Sequence, residues 1–166
     1  MEHRIIKLPK RLQTIADFIK RGSNVADIGT DHGKLPVYLA QTGISDRIIA
    51  SDISAGSLMA AVRTAEKYDI KEKISFVNAP GLTGIDENDI DTIVIAGVGG
   101  ETIIEILEET PWSKSGKTLI LQPQTKKELL LSYLEQTGSA AVSDVKIVTD
   151  RDREYIIIFI DQDRGD

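Results

Sequence analysis

The 166-residue chain carries 26 acidic against 20 basic side chains, a formal net charge of −6, 41% hydrophobic residues and no cysteine. That length and hydrophobic share suit one domain with a packed core and exclude a disordered tail. The acidic balance argues against coating nucleic acid through bulk positive charge, and the missing cysteines exclude disulfides and thiolate chemistry. Two histidines exclude a histidine-rich cage, so no metal is expected. Met1 to Lys10 lacks a signal peptide's apolar core and no apolar run approaches membrane-spanning length. The expectation is a soluble, cytoplasmic, single domain over residues 1–166.

Taken in chain order, Leu8, Leu12, Ile15, Ala16 and Ile19 stand at helical spacing, with Gly22 ending the segment. Asn24-Val-Ala-Asp-Ile28 reads as a buried strand running into a glycine-rich turn. Pro36 suits the start of a helix continued by Val37, Leu39 and Ala40 and stopped by Gly43. Arg47 to Asp52 is a second strand, followed by a helix with Leu58, Val62 and Ala65 inside. Lys73 to Val77 is a third strand, Asp91 to Ala96 a fourth, and Lys117 to Gln122 a fifth. Ile103, Ile104, Ile106 and Leu107 mark one following helix and Leu129 to Leu134 another. Ala141 to Thr149 and Tyr155 to Ile160 are β-rich runs with no room for a helix between them, which predicts an antiparallel hairpin at the sheet edge. Five strand–helix units closed by a hairpin make an α/β Rossmann-like sheet, mostly parallel, with helices on both faces.

In such sheets ligands bind at the carboxyl ends of the strands, so the first turn, Asp27-Ile-Gly-Thr-Asp-His-Gly33, carries the most information. It lacks the third glycine of a dinucleotide loop and is one residue short of a P-loop. Asp27 and Asp31 would repel a pyrophosphate. The same carboxylates suit S-adenosylmethionine, whose sulfonium and ammonium are positive. Asp27 can pair with the ammonium, Gly29 admits close backbone approach, and Asp52, closing the second strand, stands where an acid accepts from ribose hydroxyls. The plain alternative is that Asp27 is a turn or capping aspartate.

These residues, together with Leu8-Pro-Lys-Arg-Leu12, Ala26 to His32, Leu35-Pro36, Ala50-Ser-Asp-Ile53, Ile95-Ala-Gly-Val-Gly-Gly100 and Leu119-Ile-Leu-Gln-Pro123, resemble the bacterial tRNA (adenine-22-N1) methyltransferases. The resemblance spans nearly the whole chain. It implies a seven-stranded class I methyltransferase sheet, S-adenosylmethionine as cofactor and tRNA as partner. It further implies cofactor contacts from Asp27, Gly29, Asp31, Gly33, Asp52, Ile53, Asn78 and Gly97. Three departures stand out. Ala79-Pro-Gly-Leu82 replaces the family's Gly-Asp-Gly-Leu, moving a cofactor contact to Asn78 or backbone. Gly33-Lys34 replaces Ala-Tyr. The family's C-terminal helical domain is expected to be absent from this chain.

Adenine N1 attacks through a neutral lone pair, so the enzyme mainly aligns the reactants and stabilises positive charge developing on the base. Asp31 at the loop apex is the first candidate for that stabilisation. His32 is a candidate hydrogen-bond partner or proton acceptor, or else a helix-start histidine. Gln122, with Gln124, is a candidate reader of an adenine edge or a cap of the next helix. Gly97, Gly99 and Gly100 admit a flat base or simply make a tight turn. Residues 1–21 hold Arg4, Lys7, Lys10, Arg11, Lys20 and Arg21 against Glu2 and Asp17, a local balance of +4 that could grip phosphates or merely solvate a helix. Trp112 and Tyr133 read as packing residues. Other readings are a methyltransferase with a different substrate, an inactive cofactor-binding domain, and, disfavoured by the acidic loop, a dinucleotide oxidoreductase.

Overall fold

A computed structural model describes residues 4–137 and 142–162. The elements are α1 (Lys10–Phe18), β1 (Asn24–Ile28), α2 (Lys34–Thr42), β2 (Arg47–Asp52), α3 (Ala55–Lys67) and β3 (Ile74–Asn78). They continue with β4 (Thr92–Val98), α4 (Gly100–Glu109), β5 (Thr118–Pro123), α5 (Lys127–Thr137), β6 (Asp144–Asp150) and β7 (Arg153–Asp161). One seven-stranded sheet runs β3-β2-β1-β4-β5-β7-β6. Every pair from β3 to β5 is parallel, whereas β7 lies antiparallel to both β5 and β6.

Alternating strand residues build two cores, one on each face. Val25, Ile48, Val94 and Ile120 pack under α1, α2 and α3 with Ile15, Leu35, Leu39 and Ala65. Their neighbours Ala26, Ile49, Ile93 and Leu121 pack under α4 and α5 with Ile103, Leu107, Leu130 and Leu134. Such strands are apolar on both sides because both sides are covered, which explains why they read as unbroken apolar runs. Trp112 and Tyr133 pack against the second core, as expected.

Two details differ from the sequence reading. The first helix is shorter than its apolar stripe, because Pro9 is extended (φ −57°, ψ 155°) and caps it from outside, and Ile19 has already left it (φ −82°, ψ 121°). Ile6 and Leu8 are buried all the same. The third strand is not followed by an α-helix. Pro80, Gly81 and Gly84 break the segment, and Leu82, Ile85 and Ile90 are buried from a loop whose one regular turn is the 3-10 turn Glu87–Asp89. There are therefore four strand–helix units on the parallel side. The expected hairpin is present, with Asp150 paired to Arg153 and both turn residues, Arg151 and Asp152, at positive φ (53° and 62°). That is the two-residue turn whose twist matches its strands. The expected start of its first run, Ala141, lies outside the described residues. Among the described residues no helix is long and apolar enough to cross a membrane.

Candidate active site

Strand order reverses between β1 and β4, and the space above their carboxyl ends is where such sheets bind ligands. A cavity of about 530 Å³ opens there, within the range that holds a cofactor. Its floor is Asp27 to Asp31 at the end of β1 and just beyond it, Asp52 and Ile53 likewise at the end of β2, and Ile95 to Val98 at the end of β4. Its walls are Pro9, Arg11 and Leu12 of the α1 segment, His32, Lys34 and Leu35 at the start of α2, Ala79 to Gly81 after β3, and one face of α4.

The loop after β1 is tied to β2. Gly29 and Thr30 both donate their N–H to the Ser51 carbonyl, at 2.9 and 3.0 Å. Gly29 (φ +75°) takes a conformation that costs other residues steric strain. Asp31 adopts the left-handed region too (φ +55°) and donates its N–H to Asp52 Oδ2 at 3.0 Å. Aspartate is among the few non-glycine residues that tolerate this. The other Asp52 oxygen accepts from the Ser54 N–H at 2.9 Å. Asp52, 9% exposed, is thus clamped by one backbone amide on each side. A carboxylate has about four acceptor positions, so about two remain for a ligand's hydroxyls.

Asp27 is buried at 5% exposure. Burial pushes its carboxyl up from 3.8 to about 6; the Thr30 hydroxyl and the Arg11 guanidinium pull the other way, and Asp52 and Asp31 add to the rise. A desolvated carboxylate in a cavity wall favours a cationic group brought against it and disfavours phosphate. Asp31 and His32 stand at the mouth, with side chains 69% and 65% exposed and His32 Nε2 3.9 Å from Asp31 Oδ1. Ile53, 73% exposed, offers an apolar face on the rim.

Seven of the ten expected residues line the cavity: Asp27, Gly29, Asp31, His32, Asp52, Ile53 and Gly97. Gly33, Asn78 and Gln122 do not. Gly33 is the left-handed residue that starts α2, and a Cβ there would come 2.8 Å from the Ala61 Cβ on α3. Its smallness serves helix packing. Asn78 spends its amide N–H groups on the Asp52 and Ile53 carbonyls (2.9 and 3.2 Å), steadying the turn after β2 from outside the cavity. Gln122 is fully buried. Its Oε1 accepts from Arg11 Nη1 (3.2 Å) and from the Gly97 N–H (3.1 Å), and its Nε2 reaches the Pro123 carbonyl and Gln124 Oε1. With both ends engaged it reads no base edge and caps no helix, but it braces the irregularity between Ala96 and Val98 where Gly97 (φ +78°) turns.

Sequence reasoning missed Arg11 and α4. Arg11 was one of six basic residues in a surface segment, yet it reaches Gln122, lies 5.8 Å from the Tyr155 ring and lowers the Asp27 carboxyl. Lys20 pairs with Asp161 (3.3 Å), and Arg21 donates to the Thr42 and Gly43 carbonyls. Arg11, Lys20 and Arg21 of the expected phosphate-gripping set are therefore tied into the fold. On α4, Thr102, Glu105, Ile106 and Glu109 line the cavity. In sequence Ile106 reads only as one of the helix's apolar markers and Thr102, Glu105 and Glu109 carry no motif, so no local signal reveals that a cavity lies beneath them.

Residues 8–158 match the family described as a methyltransferase domain. The chain is 37% identical over 146 residues to the tRNA (adenine(22)-N(1))-methyltransferase of Bacillus subtilis, a match covering 87% of this chain and 61% of that protein. The chain thus spans about three-fifths of that relative's length. The crystal structure of the B. subtilis M1A22 tRNA methyltransferase TrmK superposes with a TM-score of 0.86 at 34% identity, covering 93% of this chain and 66% of the other. M. capricolum TrmK, solved with the cofactor product S-adenosyl-homocysteine, superposes at 0.79 with 28% identity over 96% and 70%.

Proposed function

This chain belongs to the methyltransferase-domain family, and from that membership we propose that it transfers the methyl group of S-adenosylmethionine to N1 of an adenine in tRNA, in the cytoplasm. The observation that carries the cofactor half is the buried Asp27 carboxyl facing the same cavity as the doubly clamped Asp52. One wall calls for a cation and the other for a pair of hydroxyls. The substrate half is supported by the name of the B. subtilis relative.

When bound, the cofactor supplies an electrophilic methyl on a sulfonium. Asp27 would hold its ammonium and Asp52 its ribose, with the Gly29 and Gly97 backbones lying close because neither carries a Cβ. Adenine N1 needs no proton removed before it attacks, so the first demand on the protein is alignment. The α1 wall of Pro9, Arg11 and Leu12 faces the cavity from the other side and would confine the base there. Methylation leaves the base cationic until its exocyclic amine releases a proton. Asp31 at the mouth supplies the opposing charge, and His32 beside it supplies an acceptor for that proton.

The test is transfer of tritium from labelled S-adenosylmethionine to unmodified tRNA, followed by nucleoside mapping. The native chain should yield 1-methyladenosine. Asp31→Asn, which keeps the backbone's left-handed tolerance, should lower turnover about 10²-fold while cofactor still binds. Cofactor binding without 1-methyladenosine on tRNA would overturn the substrate assignment and leave either a methyltransferase acting elsewhere or an inactive cofactor-binding domain.

A further inference from the structure

Resting on the S-adenosylmethionine reading, we propose that Glu109 of α4 selects the cofactor's base, accepting a hydrogen bond from the exocyclic amine of its adenine. With the ammonium at Asp27 and the ribose at Asp52, the base falls to the remaining end of the cavity. That end is bounded by Ile53, by Ala79-Pro80-Gly81, and by α4.

Polar side chains are scarce there. Ala79 and Gly81 have no polar side chain, and Pro80 has no N–H. The Ala79 N–H already donates to the Asp52 carbonyl at 3.2 Å. Asn78 lies outside the cavity with its amide engaged. What α4 presents is Ile106, flanked by Glu105 and Glu109 four residues apart. The helix and the loop touch at this point, since a Cβ on Gly81 would lie 3.2 Å from Ile106 Cγ1. Glu109 also borders the neighbouring hollow formed by Pro80 to Ile85, Thr110, Pro111 and Trp112, and Glu105 does not. Glu109 is therefore the carboxylate at the Pro80–Gly81 end. Ile53 and Ile106 supply apolar surface for a flat ring. An ionised carboxylate is an acceptor only, so it matches a 6-amino group and opposes a 6-oxo group.

Calorimetric titration of the full chain with S-adenosylhomocysteine and with its 6-oxo counterpart, S-inosylhomocysteine, tests this without any turnover. The native protein should bind the amino compound about tenfold more tightly. Glu109→Gln, whose amide both donates and accepts, should bring the two affinities within about twofold. Glu105→Gln should keep the native preference. Discrimination that survives Glu109→Gln, or collapses in Glu105→Gln instead, would overturn the assignment to Glu109 while the cofactor reading stands. No binding of S-adenosylhomocysteine by the native chain would overturn both.

Discussion

With Asp27 holding the cofactor's ammonium as proposed, cofactor affinity should depend on pH in a window that ordinary aspartates do not reach. Its carboxyl is pushed up to about 6 by burial, and the ligand's ammonium is held only by the ionised form. With that value, about 97% of the protein is binding-competent at pH 7.5 and about 9% at pH 5. S-adenosylhomocysteine affinity should therefore fall about tenfold across this range, as read by calorimetry at constant ionic strength. The effect on stability has the opposite sign to that of a salt-bridged aspartate. Because the folded value lies above the unfolded one near 3.8, the native state holds the proton more tightly. The free chain accordingly loses stability from this group as pH rises from about 4 to 6. The difference of about two pH units amounts to about 3 kcal/mol. Asp27→Asn removes the buried charge, so it should stabilise the free chain at pH 7.5 by up to that amount in urea unfolding, weaken S-adenosylhomocysteine binding, and flatten its pH dependence. A native affinity that is level from pH 5 to 7.5 would refute the reasoning, as would a destabilised Asp27→Asn protein.

Gly33→Ala places a methyl 2.8 Å from the Ala61 Cβ at a backbone φ of +71°. It should cost about 2–4 kcal/mol of unfolding free energy by urea titration, from strain and overpacking together. Because Gly33 does not line the cavity, the protein that remains folded should retain most of its affinity for S-adenosylhomocysteine. Gln122→Met keeps the buried volume but strands the Gly97 N–H and releases Arg11. A loss of about 1–3 kcal/mol is expected, with faster amide exchange at Gly97 in NMR; unchanged exchange there would mean that Gln122 does not brace the turn.

The layout of the sheet was legible from local pattern. Short apolar runs alternating with helical stripes specify a covered parallel sheet, and two β-rich runs flanking a charged pair of turn residues specify the closing hairpin. Asp27, Gly29 and Asp52 were legible for a similar reason. They sit at strand ends, and in this topology strand ends converge on one crevice whatever the details of packing. Helix limits were less legible, because Ile6, Leu8 and Ile19 are buried without being helical. An apolar stripe reports burial and reports conformation only when the backbone allows it.

The residues that sequence misplaced all depend on contacts between elements far apart in the chain. Gln122 and Arg11 meet across 111 positions, Gly33 meets Ala61 from the next helix, and Gly81 of the loop after β3 meets Ile106 of α4, which brings Glu109 into the lining of the same cavity. A side chain's local signal says whether it is small, charged or apolar. Which partner uses that property is set by where the helices settle on the sheet. The chain's sequence thus carries the acidic crevice and the alternating architecture around it, since both follow from periodicity and strand order. Folding alone sends Gly33 to helix packing, Gln122 to bracing, and two glutamates of α4 to the wall of the cavity, because those roles arise from distances that no local spacing encodes.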